Sequence, residues 1–164
     1  RNYLVNNIRV WSGNDTKTVV DNSEQNEKVD TAEYEAVEEI EKQLGVEMPE
    51  FYYRPNGFEF VSYEVNQFAD IAFIEYKYEE NIILFYIDKQ SGDTASQTES
   101  LSGTRELIKS IDVGDNKISI EKNKEPGDKI PSYTASWKQD NVFFNISGKI
   151  EKDELIKIME NIVY

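Results

Sequence analysis

Three strand-like runs between Gly57 and Ile87 constrain the fold of this chain more than any other feature. They read GFEFVSYEV, DIAFIEYKY and NIILFYI, and they are rich in Phe, Tyr, Ile and Val, which strands favour. Only NQFA and EE separate them, and such short connections cannot contain a crossover helix. The runs therefore predict a three-stranded antiparallel meander.

The side chains of the middle run alternate between two faces, with Ala72, Ile74, Tyr76 and Tyr78 on one and Ile71, Phe73, Glu75 and Lys77 on the other. The third run is apolar from Ile82 to Ile87, which predicts a central place in the sheet.

Two further hairpins follow a long polar stretch at residues 88–106, which we expect to form a loop or flap. LIKSIDV and KISIEK are joined by GDN, with Ile118 and Ile120 facing inward. SYTASWKQ and VFFNISG are joined by DN, and their inward positions are Tyr133, Ala135, Trp137, Val142, Phe144 and Ile146.

Two segments have helical periodicity. The first is predicted at about residues 31–44, with Asp30 as N-cap and Glu33 completing a capping box. The second is predicted at about residues 151–162, where an apolar stripe consists of Leu155, Ile158, Met159 and Ile162. We expect this terminal helix to cover the sheet face that carries Trp137 and Phe144.

The predicted fold class is therefore α+β: a curved antiparallel sheet of about six or seven strands, packed by an N-terminal and a C-terminal helix. At 164 residues the chain has the length of one domain. We assign residues 30–164 to that domain and residues 1–29 to a polar tether.

The composition excludes several classes of chemistry. The chain has no His and no Cys, which removes Ser-His-Asp catalysis, thiol nucleophiles and His/Cys zinc sites. Its net charge of −14 disfavours nucleic acid and anionic headgroups as partners. No apolar stretch is long enough to insert into a membrane.

No catalytic, cofactor-binding or metal site is predicted. Ser119 and Lys122 form an S-x-x-K pattern, but they fall on a predicted strand where this chemistry needs the start of a helix. The acidic pair Glu79 and Glu80 is typical of a solvated hairpin turn. A hydrolase using a carboxylate pair is a third hypothesis, which would need two close acids with raised pKa values in a cleft.

Aromatic residues are unusually dense between residues 51 and 86, more than the inner faces of three short strands normally take. Core packing and cross-strand pairing are the ordinary interpretation. The functional interpretation is an interaction surface or groove whose mouth is FYYRPNGFEF, with Arg54 as its cationic anchor. The residues predicted for this surface are Tyr52, Tyr53, Arg54, Phe58 and Phe60.

The final strands and helix, ASWKQDN, VFFNISG and EKDELIKIMENI, resemble an uncharacterised family of bacterial ectodomains, the domain of unknown function 4367. The resemblance covers about residues 30–164. It implies a domain that follows a single membrane span in Gram-positive bacteria, often in anti-sigma-factor-like proteins, and it supplies no catalytic residues.

Two hypotheses of function follow from the residues and the resemblance together. The first is a non-enzymatic extracytoplasmic sensory or protein-interaction domain, tethered to the membrane through a segment before Arg1, since the sequence does not begin with Met. Its partner would be another protein. The alternative is a carrier or sensor domain that binds an apolar small molecule, a lipid or a lipoprotein in a groove between the sheet and the terminal helix that covers it.

Overall fold

The computed structural model describes residues 2–3, 9–10, 24–89 and 104–164. Its helices are α1 (Glu24–Leu44) and α2 (Lys152–Glu160). Its strands are β1 (Asn2–Tyr3), β2 (Arg9–Val10), β3 (Glu50–Phe51), β4 (Phe58–Asn66), β5 (Ile71–Tyr78), β6 (Asn81–Asp88), β7 (Thr104–Val113), β8 (Asn116–Lys124), β9 (Ser132–Gln139), β10 (Val142–Gly148) and β11 (Ile162–Val163).

The main sheet has seven antiparallel strands in the order β4-β5-β6-β10-β9-β8-β7. Strands β4 to β6 form one meander and strands β7 to β10 form a second. Pairing of β6 with β10 joins the two meanders, with Phe85 opposite Ile146. The predicted α+β fold class is confirmed, and β6 lies inside the sheet as its apolar sequence predicted.

One face of the sheet carries the core. Because strand side chains alternate, each central strand contributes every second residue to this face, including Ile74, Ile83, Ile118, Ile120, Ala135, Phe144 and Ile146, which are fully buried. Leu155, Ile158 and Met159 of α2 and Ile40 and Leu44 of α1 join the same core. The predicted inward positions of the last two hairpins are buried, except that Tyr133 is only half-buried.

The start of α1 differs from the prediction. The helix begins at Glu24, so it extends into the segment assigned to the tether, and Asp30 lies within the helix instead of capping it. Glu33 is not part of a capping box, because its carboxylate is buried and bonded to Arg54. The helix ends at Leu44, as predicted. Gly45 follows it with a φ of 67°, which suits glycine, and its N–H donates to the Glu41 carbonyl at 2.9 Å.

Two parts of the C-terminal segment cover the core: α2, and the residues of β11 and Tyr164 that follow it. Helix α2 ends at Glu160, and the last residue of the predicted stripe, Ile162, lies in β11, where it pairs with Phe51 of β3. Beyond it, the Tyr164 hydroxyl accepts a hydrogen bond from Trp137 Nε1 at 2.8 Å. The Trp137 ring stacks on Phe144 and Phe85 at centroid distances of 5.4 Å and 6.1 Å. The terminal residues therefore cover Trp137, which is buried.

Most of the predicted polar loop, residues 90–103, lies outside the described residues, as do most of the residues assigned to the tether. The domain boundary at residue 30 stays a prediction.

Candidate functional site

A buried polar cluster joins α1 to the sheet. The Arg54 guanidinium donates from Nη1 and Nη2 to the two carboxylate oxygens of Glu33, each at 2.6 Å, and the Tyr76 hydroxyl donates to Glu33 Oε2 at 2.8 Å. Arg54 and Glu33 are only 3% and 2% exposed. The bidentate geometry matches the planar fork of arginine to a carboxylate. This cluster links three separate parts of the chain.

The surroundings of Arg54 are aromatic and tightly packed. Its guanidinium carbon lies 5.7 Å from the ring centroids of both Phe51 and Tyr76. The crevice that these residues line, between α1 and the sheet, has a volume of about 10 Å³. That volume is close to the minimum that holds one water molecule.

The five residues predicted to form the interaction surface are close together in space, but they do not share one exposed surface. Arg54, Tyr53 and Phe58 are buried, whereas Tyr52 and Phe60 are half-buried. The Phe58 ring packs 4.8 Å from that of Tyr76. Arg54 is thus engaged inside the fold, and a binding role for the five residues stays a prediction.

Sequence reasoning missed the partner of Arg54. Glu33 precedes Val37, Ile40 and Leu44 at helical spacing, so it continues the apolar stripe of α1 by one position. An acid in such a stripe is the signal of a buried ion pair, because an unpaired buried carboxylate is strongly unfavourable.

Tyr53 connects the segment after β3 to α2. Its hydroxyl donates to Glu154 Oε1 at 2.5 Å, and the Lys157 ammonium lies 4.5 Å from its ring centroid. Burial, followed by the hydrogen bond to Glu154, raises the pKa of Tyr53 to about 12. The pKa of Tyr78 is also raised, first by burial and then by its hydrogen bond to Glu151.

The turn between β4 and β5 presents an aromatic side chain to solvent from a braced backbone. Asn66 Oδ1 accepts hydrogen bonds from the N–H groups of Phe68 and Ala69, each at 3.1 Å. The carbonyl of Asp70 accepts from the Lys89 N–H at 3.0 Å. Phe68 is nevertheless 99% exposed. The turn is held by hydrogen bonds that leave the Phe68 ring unburied.

A groove lies beside this turn. Its volume is about 360 Å³, and it is lined by Gln43 of α1, by residues 64–68, which include Phe68, and by residues 71–73. We call Phe68 and this groove the turn surface. Val61 and Tyr63, further back on β4, are also 47% and 40% exposed. An exposed aromatic side chain beside a groove is typical of a protein contact site.

The remaining candidate residues do not assemble into reactive sites. Ser119 and Lys122 are three residues apart on β8, so the pleat places them on opposite faces of the sheet. Glu79 and Glu80 are both exposed at the turn between β5 and β6. Among the residues that the structure describes, no group of three acidic, His or Cys side chains is arranged to hold a metal ion. Neither described helix is long and apolar enough to cross a membrane.

Comparison with known proteins identifies one family. The family model described as Domain of unknown function (DUF4367) matches residues 48–162, which include every strand from β3 to β10 and all of α2. The family predicted from the strands and helix at the C-terminus is confirmed. No curated protein and no solved structure matches the chain.

Proposed function

This chain belongs to the DUF4367 family, and we propose that it is a non-enzymatic domain that binds another protein outside the cytoplasm. In this proposal the domain is tethered to the cell membrane by a segment before Arg1, and its contact with the partner serves a sensory or regulatory purpose like that of anti-sigma factors. The extracytoplasmic and regulatory parts rest on the resemblance described above.

One observation favours protein binding most directly: Phe68 is 99% exposed on a turn fixed by hydrogen bonds. A solvent-exposed Phe gains about 1.5–3 kcal/mol when it is transferred into an apolar pocket. Because the turn is already ordered, little conformational entropy is lost when the ring is buried by a partner. Aromatic anchors of this kind are enriched in the centres of interfaces.

The charge of the domain indicates the chemistry of the partner. The chain carries a net charge of −14, and Glu64 beside Tyr63 is exposed at the groove. Opposite charges around an apolar contact accelerate association and favour the correct partner. We therefore expect the partner to offer an apolar pocket for Phe68 with basic residues at its rim.

The alternative, an apolar carrier, places its ligand between the sheet and the terminal helix α2. Leu155, Ile158 and Met159 of α2 are fully buried there in the core. A lipid at this position would require α2 to move away from the sheet. The carrier hypothesis stays a prediction.

Site-specific photo-crosslinking in the full-length protein tests the proposal. A benzophenone amino acid replaces Phe68, and the cells are irradiated while the protein is in its own envelope. We expect one prominent adduct with a second protein, because the ring at position 68 enters the partner. A variant with the same amino acid at Ile130 is the matched control, since Ile130 is a 52% exposed apolar residue in the connection between β8 and β9.

The control position lies in a different part of the structure, because three strands (β5, β6 and β10) separate β4 from β9 in the strand order. The same adduct at both positions, or no protein adduct at position 68, would contradict binding through the turn surface. Competition by unlabelled domain should abolish the adduct, whereas competition by a Phe68→Ser domain should not.

A further inference from the structure

The sheet face opposite the helices has an unusual composition at its centre. On this face, β9 presents Ser132, Thr134 and Ser136, and β10 presents Asn145 and Ser147. The register places Asn145 opposite Ser136 and Ser147 opposite Thr134. None of the five is charged, although 30% of the residues of the chain are. The solvent-exposed face of an antiparallel sheet usually carries polar residues of all sizes, charged ones included, so a cluster of short neutral side chains is unusual.

Longer side chains flank these short ones and create a trough. Leu84 and Tyr86 of β6 stand on one side, and Asn123 of β8 and Arg105 of β7 stand on the other. The volume of this trough is about 390 Å³. Arg105 forms an ion pair with Glu121, and the acidic residue Glu125 also lines this side. We call this space the polar trough.

The wall of the polar trough contains a polar atom without a partner. Asn123 Nδ2 donates to Thr134 Oγ1 at 2.8 Å, while Asn123 Oδ1 is buried and makes no hydrogen bond. If the Asn123 carboxamide were turned so that its oxygen and nitrogen exchanged places, the oxygen would bond to Thr134 and the nitrogen would be left without a partner. Thr134 itself is 6% exposed. A carboxamide with one unused end is unfavourable. Because the oxygen is buried, the Asn123 side chain would have to rotate before a hydroxyl group in the trough could donate to it.

We propose that the polar trough binds a neutral carbohydrate. Its lining combines carboxamides and hydroxyls, which together donate to and accept from sugar hydroxyls. The Tyr86 ring offers an apolar face for sugar C–H groups, while its hydroxyl donates to Asp88 Oδ2 at 3.2 Å and can still accept. The volume lies in the range of small-molecule sites. The carboxylate of Glu125 in the lining disfavours an anionic ligand, which leaves a neutral one.

An extended peptide fits the polar trough less well. Peptides that bind sheets usually pair with the free backbone of an edge strand. The trough lies over β10 and β9, and both strands are paired on both sides, β10 with β6 and β9, and β9 with β10 and β8. Recognition here depends on side chains, and the side chains are those suited to hydroxyl groups. This site is separate from the turn surface, so neither proposal depends on the other.

Titration of the isotopically labelled protein with cellobiose and with N,N′-diacetylchitobiose, followed by NMR, tests the inference. We expect at least one disaccharide to shift the side-chain amide signals of Asn123 and Asn145 in a saturable way, with a Kd on the order of 1 mM. Asn145→Ala should weaken that binding at least about tenfold. The matched control is Ser119→Ala, on the same face but outside the trough, which should leave the Kd unchanged.

Folding of both variants is verified from their backbone spectra. Equal weakening by Ser119→Ala and Asn145→Ala would overturn the assignment, as would the absence of saturable shifts with both disaccharides. If an uncharged Ser- and Asn-containing peptide shifts the same signals and the disaccharides do not, the trough is a peptide site and the carbohydrate inference is wrong.

Discussion

At the scale of single residues, the fold depends on an ion pair that is excluded from water. Glu33 and Arg54 satisfy each other through two hydrogen bonds of 2.6 Å, and Tyr76 adds a third bond to the carboxylate. A buried pair of this kind need not be more stabilising than apolar residues of the same volume. Its importance appears when one partner is removed, because the other is left as an uncompensated buried charge.

Arg54→Met should lower the free energy of unfolding by about 3–5 kcal/mol, because it leaves the Glu33 carboxylate without its cation. Urea denaturation measures this change. Glu35→Gln is the matched control, as Glu35 is exposed on the same helix, and it should change stability by less than about 0.5 kcal/mol. The double variant Glu33→Leu/Arg54→Met should recover most of the loss. An Arg54→Met protein as stable as the parent would contradict a structural role for the pair.

Tyr53 should make stability depend on alkaline pH. Its pKa rises from 10.0 to about 12 in the folded protein, so folding favours the neutral phenol. This contribution is fully present below about pH 10 and is lost as the pH approaches about 12. In the Tyr53→Phe variant, the free energy of unfolding should fall less steeply over that interval. Equal slopes in the two proteins would show that Tyr53 does not titrate as described.

The surroundings of single side chains were harder to predict from the sequence than the strands and helices were. The sequence suggested that Arg54 anchors an interaction surface, because it stands among aromatic residues. It could not reveal that α1 brings Glu33 to the same point, 21 positions away along the chain. Asn66 is a residue type that commonly bonds to the backbone of a turn, but nothing in NQFA indicates that Phe68 remains exposed.

At the scale of elements, local patterns predicted the hairpins well. Alternation of apolar and polar residues and short turns can both be recognised from neighbouring residues, and these local signals predicted the strands from β4 to β10. Pairing between β6 and β10 was not predicted, because it joins strands that are separated by an entire meander. The early start of α1 was missed because residues 24–29 favour helix by propensity but carry no apolar stripe.

The C-terminal segment covers the core, and its last residue, Tyr164, accepts a hydrogen bond from Trp137 on the sheet. Trp137→Ala should cost about 3–5 kcal/mol, since it removes a buried ring stacked on Phe85 and Phe144. Calorimetric melting measures the loss. Tyr164→Phe removes only the hydrogen bond from Trp137 Nε1 and should cost about 0.5–1.5 kcal/mol. An unchanged melting temperature in Trp137→Ala would mean that the terminal segment does not cover this ring.

At the scale of the whole molecule, one face of the sheet packs the core and the other is open to solvent. The helix-covered face is packed, with fully buried side chains from α1, α2 and the central strands. The turn surface and the polar trough lie outside that core, on parts of the structure where substitutions should alter binding with little loss of stability. Composition predicted an acidic domain without His or Cys chemistry, but it could not locate either surface, because both depend on how the two meanders assemble.

We propose that this domain acts by binding a protein through Phe68. Native mass spectrometry of the protein recovered from its own envelope, with wild type and Phe68→Ser prepared in parallel, tests this claim. We predict a stoichiometric protein partner on the wild type that is lost from Phe68→Ser, while both retain the same fold. A lipid-sized adduct in place of a protein, or a partner retained equally by both forms, would contradict the claim.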